Sequence, residues 1–139
     1  MTWPGWPGVL RSVDVSDCEV ARSPQTALVV LRRLANDRQA WLVRAAVAGN
    51  PKTPPDVLER LSKDQAMPVR RAVAGNPKTP PEVLERLAKD LAWLVRAAVA
   101  GNAATTTAHV VTQLLHDPLP EVREAVPGSS RAMWQLVNG

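Results

Sequence analysis

The chain has 139 residues, of which 45% are apolar, and this is enough for one domain with a single continuous core. It has five Trp but no Tyr or Phe, so Ala, Val and Leu must fill the interior, which favours closely packed helices over a sheet sandwich. The single cysteine excludes an internal disulfide and a multi-cysteine metal site, and the net charge of +4 is compatible with an acidic partner or nucleic acid without selecting either.

The first residues, MTWPGWPGVL, lack the basic segment and the apolar run of a signal peptide. No window of the chain approaches the ~18 apolar residues of a membrane-spanning helix. We therefore expect a soluble, cytoplasmic protein with no membrane partner. The opening WPGWPG does not suit regular structure, so Trp3 and Trp6 are expected to cover the first repeat or to contact another chain.

One segment recurs along the chain with a period of 26 residues, stretched to 27 at the first and last joins. Its copies are WLVRAAVAGN (41–50), MPVRRAVAGN (67–76), WLVRAAVAGN (93–102) and the diverged PEVREAVPGS (120–129). Such a period is typical of a stacked array, in which each unit buries its apolar face against its neighbours. We predict one repeat domain over 1–139, with an N-terminal cap at 1–22, repeats at 23–130 and a C-terminal cap at 131–139.

Each repeat is predicted to contain a first helix such as TPPDVLERLSKD (53–64). Thr53 is expected to be its N-cap and Pro54 its first residue, while Asp56 would complete a capping box. Helical spacing places three apolar residues on one face, namely Val57, Leu58 and Leu61.

The second element of each repeat, PVRRAVAGN, has Val69, Ala72 and Val73 at helical spacing. Gly75 stands where a helix ends on a left-handed residue. The element is short, about two turns, so a short α-helix and a 3₁₀ turn both remain open.

The motif L-x-x-L-x-x-D-x-x-x-x-V-R-x-x-V-A-x-N-P-x-T-P runs from Leu58 to Pro80 and recurs in register from Leu84. With it the chain resembles the leucine-rich repeat variant family over roughly residues 23–130, and it is also similar to HEAT repeats. The resemblance implies an all-α fold, a right-handed α-solenoid of about four repeats, each an α-helix plus a short helix or 3₁₀ turn. The family's founding member carries a four-cysteine iron–sulfur module, but this chain has Cys18 alone, so no cofactor is carried over.

Three columns of polar residues recur with the repeat. They are Asp37, Asp64, Asp90 and Asp117; Arg44, Arg70, Arg96 and Arg123; and Asn50, Asn76 and Asn102. We predict a structural ladder in which Asp pairs with Arg of its own or the adjacent repeat and Asn satisfies backbone groups in each corner. The alternative places the Arg column in an inner groove that meets a ligand, and Arg71 favours it because Ala45 and Ala97 take its place in the neighbouring repeats.

No catalytic constellation is evident in the sequence. His109 and His116 lie seven residues apart and could share a helix face, but a metal site would need a third ligand at comparable spacing, and only Asp117 is near. The glycines are isolated at helix ends and form no phosphate loop. We therefore expect no enzyme, no metal and no cofactor.

The sequence predicts a non-catalytic scaffold that binds a protein or peptide through a curved surface. The candidate contact residues are Arg44, Arg70, Arg71, Arg96, Trp41 and Trp93. Trp41 and Trp93 share one repeat position, and inter-repeat packing is the other interpretation of that position. Nucleic-acid binding through the Arg column and self-assembly through the Trp-rich ends remain alternatives, and the oligomeric state stays open.

Overall fold

The sequence pattern of each repeat folds into a pair of short α-helices. The computed structural model describes residues 20–26, 28–36, 40–105 and 107–128, and the regular elements in these ranges are helical. They are α1 (Leu28–Leu34), α2 (Trp41–Gly49), α3 (Pro55–Leu61), α4 (Met67–Gly75), α5 (Pro81–Leu87), α6 (Trp93–Gly101), α7 (Ala108–Leu115) and α8 (Pro120–Ala125). Several predicted features lie outside the described residues: Trp3, Trp6, Cys18, Asp37, the N-terminal cap up to residue 19 and the C-terminal cap at 131–139.

Consecutive helices pack in sequence order, which confirms the predicted α-solenoid. The second helices of the repeats, α2, α4, α6 and α8, pack closely against one another in a row. Small residues such as Ala74 and Ala100 are buried in this row, and small side chains let helix axes approach. Because the first helices α3, α5 and α7 are spaced more widely, the row of second helices forms the inner side of the stack.

The apolar faces predicted from the sequence are buried in one continuous core. The largest fully buried side chains of the described residues are Leu31, Leu58, Leu84, Leu114, Val43, Val47, Val57, Val69, Val73, Val83, Val95 and Val99. Each repeat thus shares its core with the repeats on both sides, as an array requires.

The predicted capping box is wrong. Helix α3 begins at Pro55 with Pro54 as its N-cap, and no side chain caps it. The hydroxyl of Thr53 instead donates to the carbonyl oxygen of Val47 at 2.5 Å. The buried Thr53 hydroxyl therefore gives a hydrogen-bond partner to a carbonyl oxygen in the last turn of α2. It does not cap the start of α3.

The second elements are α-helices of nine residues in α2, α4 and α6, so the 3₁₀ alternative does not hold there. The predicted left-handed Gly75 is also wrong, because among the described residues only Gly128 has a positive φ, of 83°. Gly75 is the last helical residue, and the chain leaves α4 at Asn76, which is extended with φ −76° and ψ 123°.

Asparagine side chains hold these corners together. The Asn76 side chain is buried, and its Nδ2 donates to the carbonyl oxygens of Ala48 at 2.7 Å and Asn50 at 3.0 Å in the preceding repeat. Its Oδ1 accepts a hydrogen bond from the Lys78 N–H at 2.8 Å. Asn102 makes the same contacts one repeat later, so the asparagines join each corner to the one before it.

We expect Asn76→Ala to lower the free energy of unfolding by about 1–3 kcal/mol, because it leaves the Ala48 carbonyl oxygen without its partner in a buried corner and removes the contacts to the Asn50 carbonyl oxygen and the Lys78 N–H. Urea denaturation measures this difference. Lys78→Ala is the matched control, since the Lys78 side chain is exposed and its N–H stays in place. Equal stability of the two variants would contradict the corner assignment.

Candidate functional site

Arginine and aspartate side chains bridge successive repeats along the stack. The Nε of Arg70 donates to Oδ2 of Asp90 at 2.8 Å, and its Nη2 donates to Oδ1 at 3.3 Å. The equivalent pairs are Arg44–Asp64, at 2.7 and 3.2 Å, and Arg96–Asp117, at 2.7 and 3.3 Å. Each pair joins the second helix of one repeat to the loop before the second helix of the next, and a two-point contact of this kind fixes geometry as well as charge.

Backbone contacts make these pairs a continuous ladder. Nη1 of Arg70 donates to the carbonyl oxygen of Asp64 at 2.9 Å, which ties each arginine to its own repeat as well. Oδ1 of Asp64 accepts the Ala66 N–H at 2.9 Å and so holds the turn that leads into α4. Nη1 of Arg123 makes the corresponding contact with the Asp117 carbonyl oxygen at 2.6 Å.

The ladder occupies the guanidinium groups that the sequence offered as partner contacts. The arginine side chains of the three pairs are 15–20% exposed and the aspartates 6–11%. Their charges are balanced within the fold, and their donors point at protein acceptors. We therefore assign Arg44, Arg70 and Arg96 to holding the second helices in place.

The neighbouring residues Arg70 and Arg71 offer a direct comparison. We expect Arg70→Ala to lower the free energy of unfolding by about 2 kcal/mol, because it leaves the carboxylate of Asp90 mostly buried without its partner. Arg71→Ala should leave the melting temperature nearly unchanged, since the side chain is exposed. Thermal unfolding followed by circular dichroism measures both, and equal, negligible shifts would contradict the ladder.

Opposing effects set the acidity of the ladder carboxylates. Burial alone would raise the pKa of Asp64, but the hydrogen bonds from Arg44 and from the Ala66 N–H, with the nearby guanidinium charges, outweigh it and hold the pKa below its ordinary value. The pKa of Asp117, paired with Arg96, is lowered against burial in the same way. The folded state therefore favours the ionised carboxylates.

This lowering predicts acid sensitivity with a defined sign. A carboxyl whose pKa is lower in the folded state contributes stability above its unfolded pKa, about 3.9 for Asp, and loses it as pH falls through the folded value. The melting temperature should hold from pH 7 to about 5 and then fall. Asp64→Asn should be less stable at pH 7 and lose less stability below pH 4, and parallel acid profiles for both proteins would refute the assignment.

The second helices also leave one side open to solvent, which we call the inner face. It comprises the first, second and fifth residues of each second helix: Trp41, Leu42 and Ala45; Met67, Pro68 and Arg71; Trp93, Leu94 and Ala97; and Pro120, Glu121 and Glu124. Trp41 is 43% exposed and Trp93 41%, so neither ring is fully used in packing between repeats. The structure thus presents two aromatic rings with Met67 at the equivalent position between them.

Arg71 is the cation at the middle of the inner face. Its side chain is exposed, and within the described ranges it makes no hydrogen bond or ion pair, in contrast to Arg70 beside it. Ala45 and Ala97 take the equivalent positions on the neighbouring second helices and are partly buried.

Sequence reasoning missed several exposed apolar residues, among them Leu42 and Leu91. Leu42 is 43% exposed on the inner face, and Leu91, in the loop before α6, is 99% exposed. Leu42 follows Trp41 directly, and a helical projection that placed the core at Val43 and Val47 would have put it next to the exposed side. The position of Leu91 is taken by the polar residue Gln65 one repeat earlier, and a polar residue there indicates an exposed position.

The residues singled out for other chemistry stay apart from this surface. His109 is exposed on α7, and Nδ1 of His116 lies 2.8 Å from the carbonyl oxygen of Thr112. The described ranges contain no cluster of three or more His, Cys, Asp or Glu side chains arranged to hold a metal ion. In the same ranges, no helix has the length and apolar character needed to span a membrane.

Two consecutive segments, residues 41–66 and 69–91, match the model of the leucine rich repeat variant family. Over these residues the chain is similar to leucine rich repeat variant proteins. The resemblance stated from the sequence is confirmed for residues 41–91, and the similarity to HEAT repeats is consistent with it. Leucine rich repeat variant repeats form scaffolds that generally mediate protein interactions. No curated protein and no solved structure shows a significant match to the chain.

Proposed function

We propose that this chain is a non-catalytic scaffold that binds a protein or peptide through the inner face. The observation that carries the proposal is the pair of half-exposed residues Trp41 and Trp93, on the helices on either side of the exposed cation Arg71. Trp and Arg dominate the binding energy of many protein interfaces. A surface with both in one row, and with Leu42 beside them, has the composition of such a contact region.

The rigidity of the row supports the same proposal. The Arg–Asp pairs and the buried asparagines fix each second helix to the next at several points. A surface that is already ordered loses little conformational entropy when a partner binds. The contact residues then contribute to affinity without first having to be arranged.

The charge distribution argues against nucleic acid as the partner. A phosphate chain needs unpaired cations along its path, and the column that offered them is paired with carboxylates at each of the three described bridges. The exposed charges of the inner face are Arg71 and the carboxylates of Glu121 and Glu124. A surface with more anions than cations repels phosphate.

The proposal predicts that the aromatic rings control partner binding. The full chain and its Trp41→Ala/Trp93→Ala variant would be used as baits in native lysate, and each identified partner would then be titrated in purified form. We expect the double variant to weaken binding at least ~10-fold, as loss of interface aromatic residues does. The control is Glu82→Ala/Glu85→Ala, which changes exposed residues of α5, away from the inner face.

Circular dichroism would first establish that each variant is folded. Partners that bind the Trp variant as well as the original chain would refute the inner face as the contact surface. Short labelled DNA and RNA would be titrated across a salt series in parallel. Tight binding that falls steeply with salt would overturn the proposal in favour of nucleic acid.

A further inference from the structure

The exposed charges of the inner face are separated along the stack. Its fifth positions read Ala45, Arg71, Ala97 and Glu124 in chain order, and Glu121 stands on the last helix where Leu42 and Leu94 stand on earlier ones. The cation thus lies on α4 and the two carboxylates on α8. All three side chains are exposed, and within the described ranges they make no ion pair with one another or with other residues.

The arginines of the ladder do not change this separation of the cation on α4 from the carboxylates on α8. The arginines of α2, α4 and α6 that follow the buried valines are each bridged to an aspartate. The opposite charges of each bridge lie within 2.8 Å of each other and largely offset one another at greater distances. On α8, Arg123 donates to the Asp117 carbonyl oxygen, and a ligand on the inner face meets the cation Arg71 on α4 and the two exposed carboxylates on α8.

The inner face of α6, between the two charged sites, is apolar. On α6 the inner face consists of Trp93, Leu94 and Ala97, with the ring of Trp93 41% exposed. This platform suits an apolar side chain that is flanked by charges of opposite sign.

We infer that the partner presents an extended segment with a carboxylate opposite Arg71, an apolar side chain on Trp93 and a cationic side chain opposite Glu121 or Glu124. This inference rests on the proposed function and names the chemistry of its partner. Two helix-to-helix steps separate α4 from α8, and packed helices lie about 8–10 Å apart, so the charges are about 16–20 Å apart. At about 3.3 Å per residue, an extended chain spans this distance in about 5–6 residues.

A random 12-residue peptide library displayed on phage would test this chemistry, with selection on the full chain and no selection against any variant. We expect the selected peptides to share an acidic and a basic residue about 5–6 positions apart with a bulky apolar residue between them. Fluorescence anisotropy of a synthetic peptide should show at least ~10-fold weaker binding to Arg71→Glu. Replacing the acidic residue of the peptide with Lys should restore binding to that variant.

Lys78→Glu makes the same charge change at an exposed site in the corner after α4, and it should change the affinity less than about 2-fold because of screening. Arg71→Gln serves as a second variant that removes the charge without reversing it. Peptides that bind Arg71→Glu normally but are lost on Trp93→Ala would overturn the inferred charge pattern and leave the proposed function standing. Failure to select any peptide, or peptides insensitive to both changes, would overturn both.

Discussion

The close approach of the second helices is the constraint on which the rest of this structure depends. Small buried side chains such as Ala74 and Ala100 let α4 and α6 pack with little space between them. Only at that distance can the amide of Asn102 reach the carbonyl oxygens of the preceding corner, at 2.6 and 2.9 Å. The same spacing brings Arg70 within bonding distance of Asp90 in the next repeat. Packing and polar bridging therefore depend on each other.

Two polar networks join the repeats, the asparagine corners and the Arg–Asp bridges. The asparagine side chains are buried and uncharged, so their contribution to stability does not depend on an ionisation of their own. The Arg–Asp bridges are partly open to solvent and charged, so their contribution depends on ionisation. Within the described ranges, no buried polar side-chain atom lacks a hydrogen-bond partner. These hydrogen bonds matter because each buried polar group without a partner lowers the free energy of unfolding by about 1–3 kcal/mol.

The repeat pattern predicted the solenoid, the buried faces of the first helices and the columns of Asp, Arg and Asn, because these features follow from periodicity alone. It failed at Thr53 and Gly75, where local rules for helix ends gave the wrong role. The hydroxyl of Thr53 bonds backward to Val47, and the amide of Asn76 replaces a left-handed glycine. Such roles depend on how the corner folds in three dimensions. The sequence also did not predict how exposed Trp41 and Trp93 are. Both are half-buried, so neither packing between repeats nor contact with a partner describes them alone.

The last bridge of the ladder has a consequence for how such arrays tolerate changes in length. Arg96 and Asp117 are separated by 21 residues, whereas Arg70 and Asp90 are separated by 20, yet both pairs have nearly the same geometry. The added residue lies between Asn102 and Asp117, and Thr105 still donates to the Val99 carbonyl oxygen at 2.8 Å. Helix α7 has eight residues where α5 has seven, and the bridge that follows each of them has nearly the same distances. A first helix can therefore vary in length by one residue while the second helices stay joined.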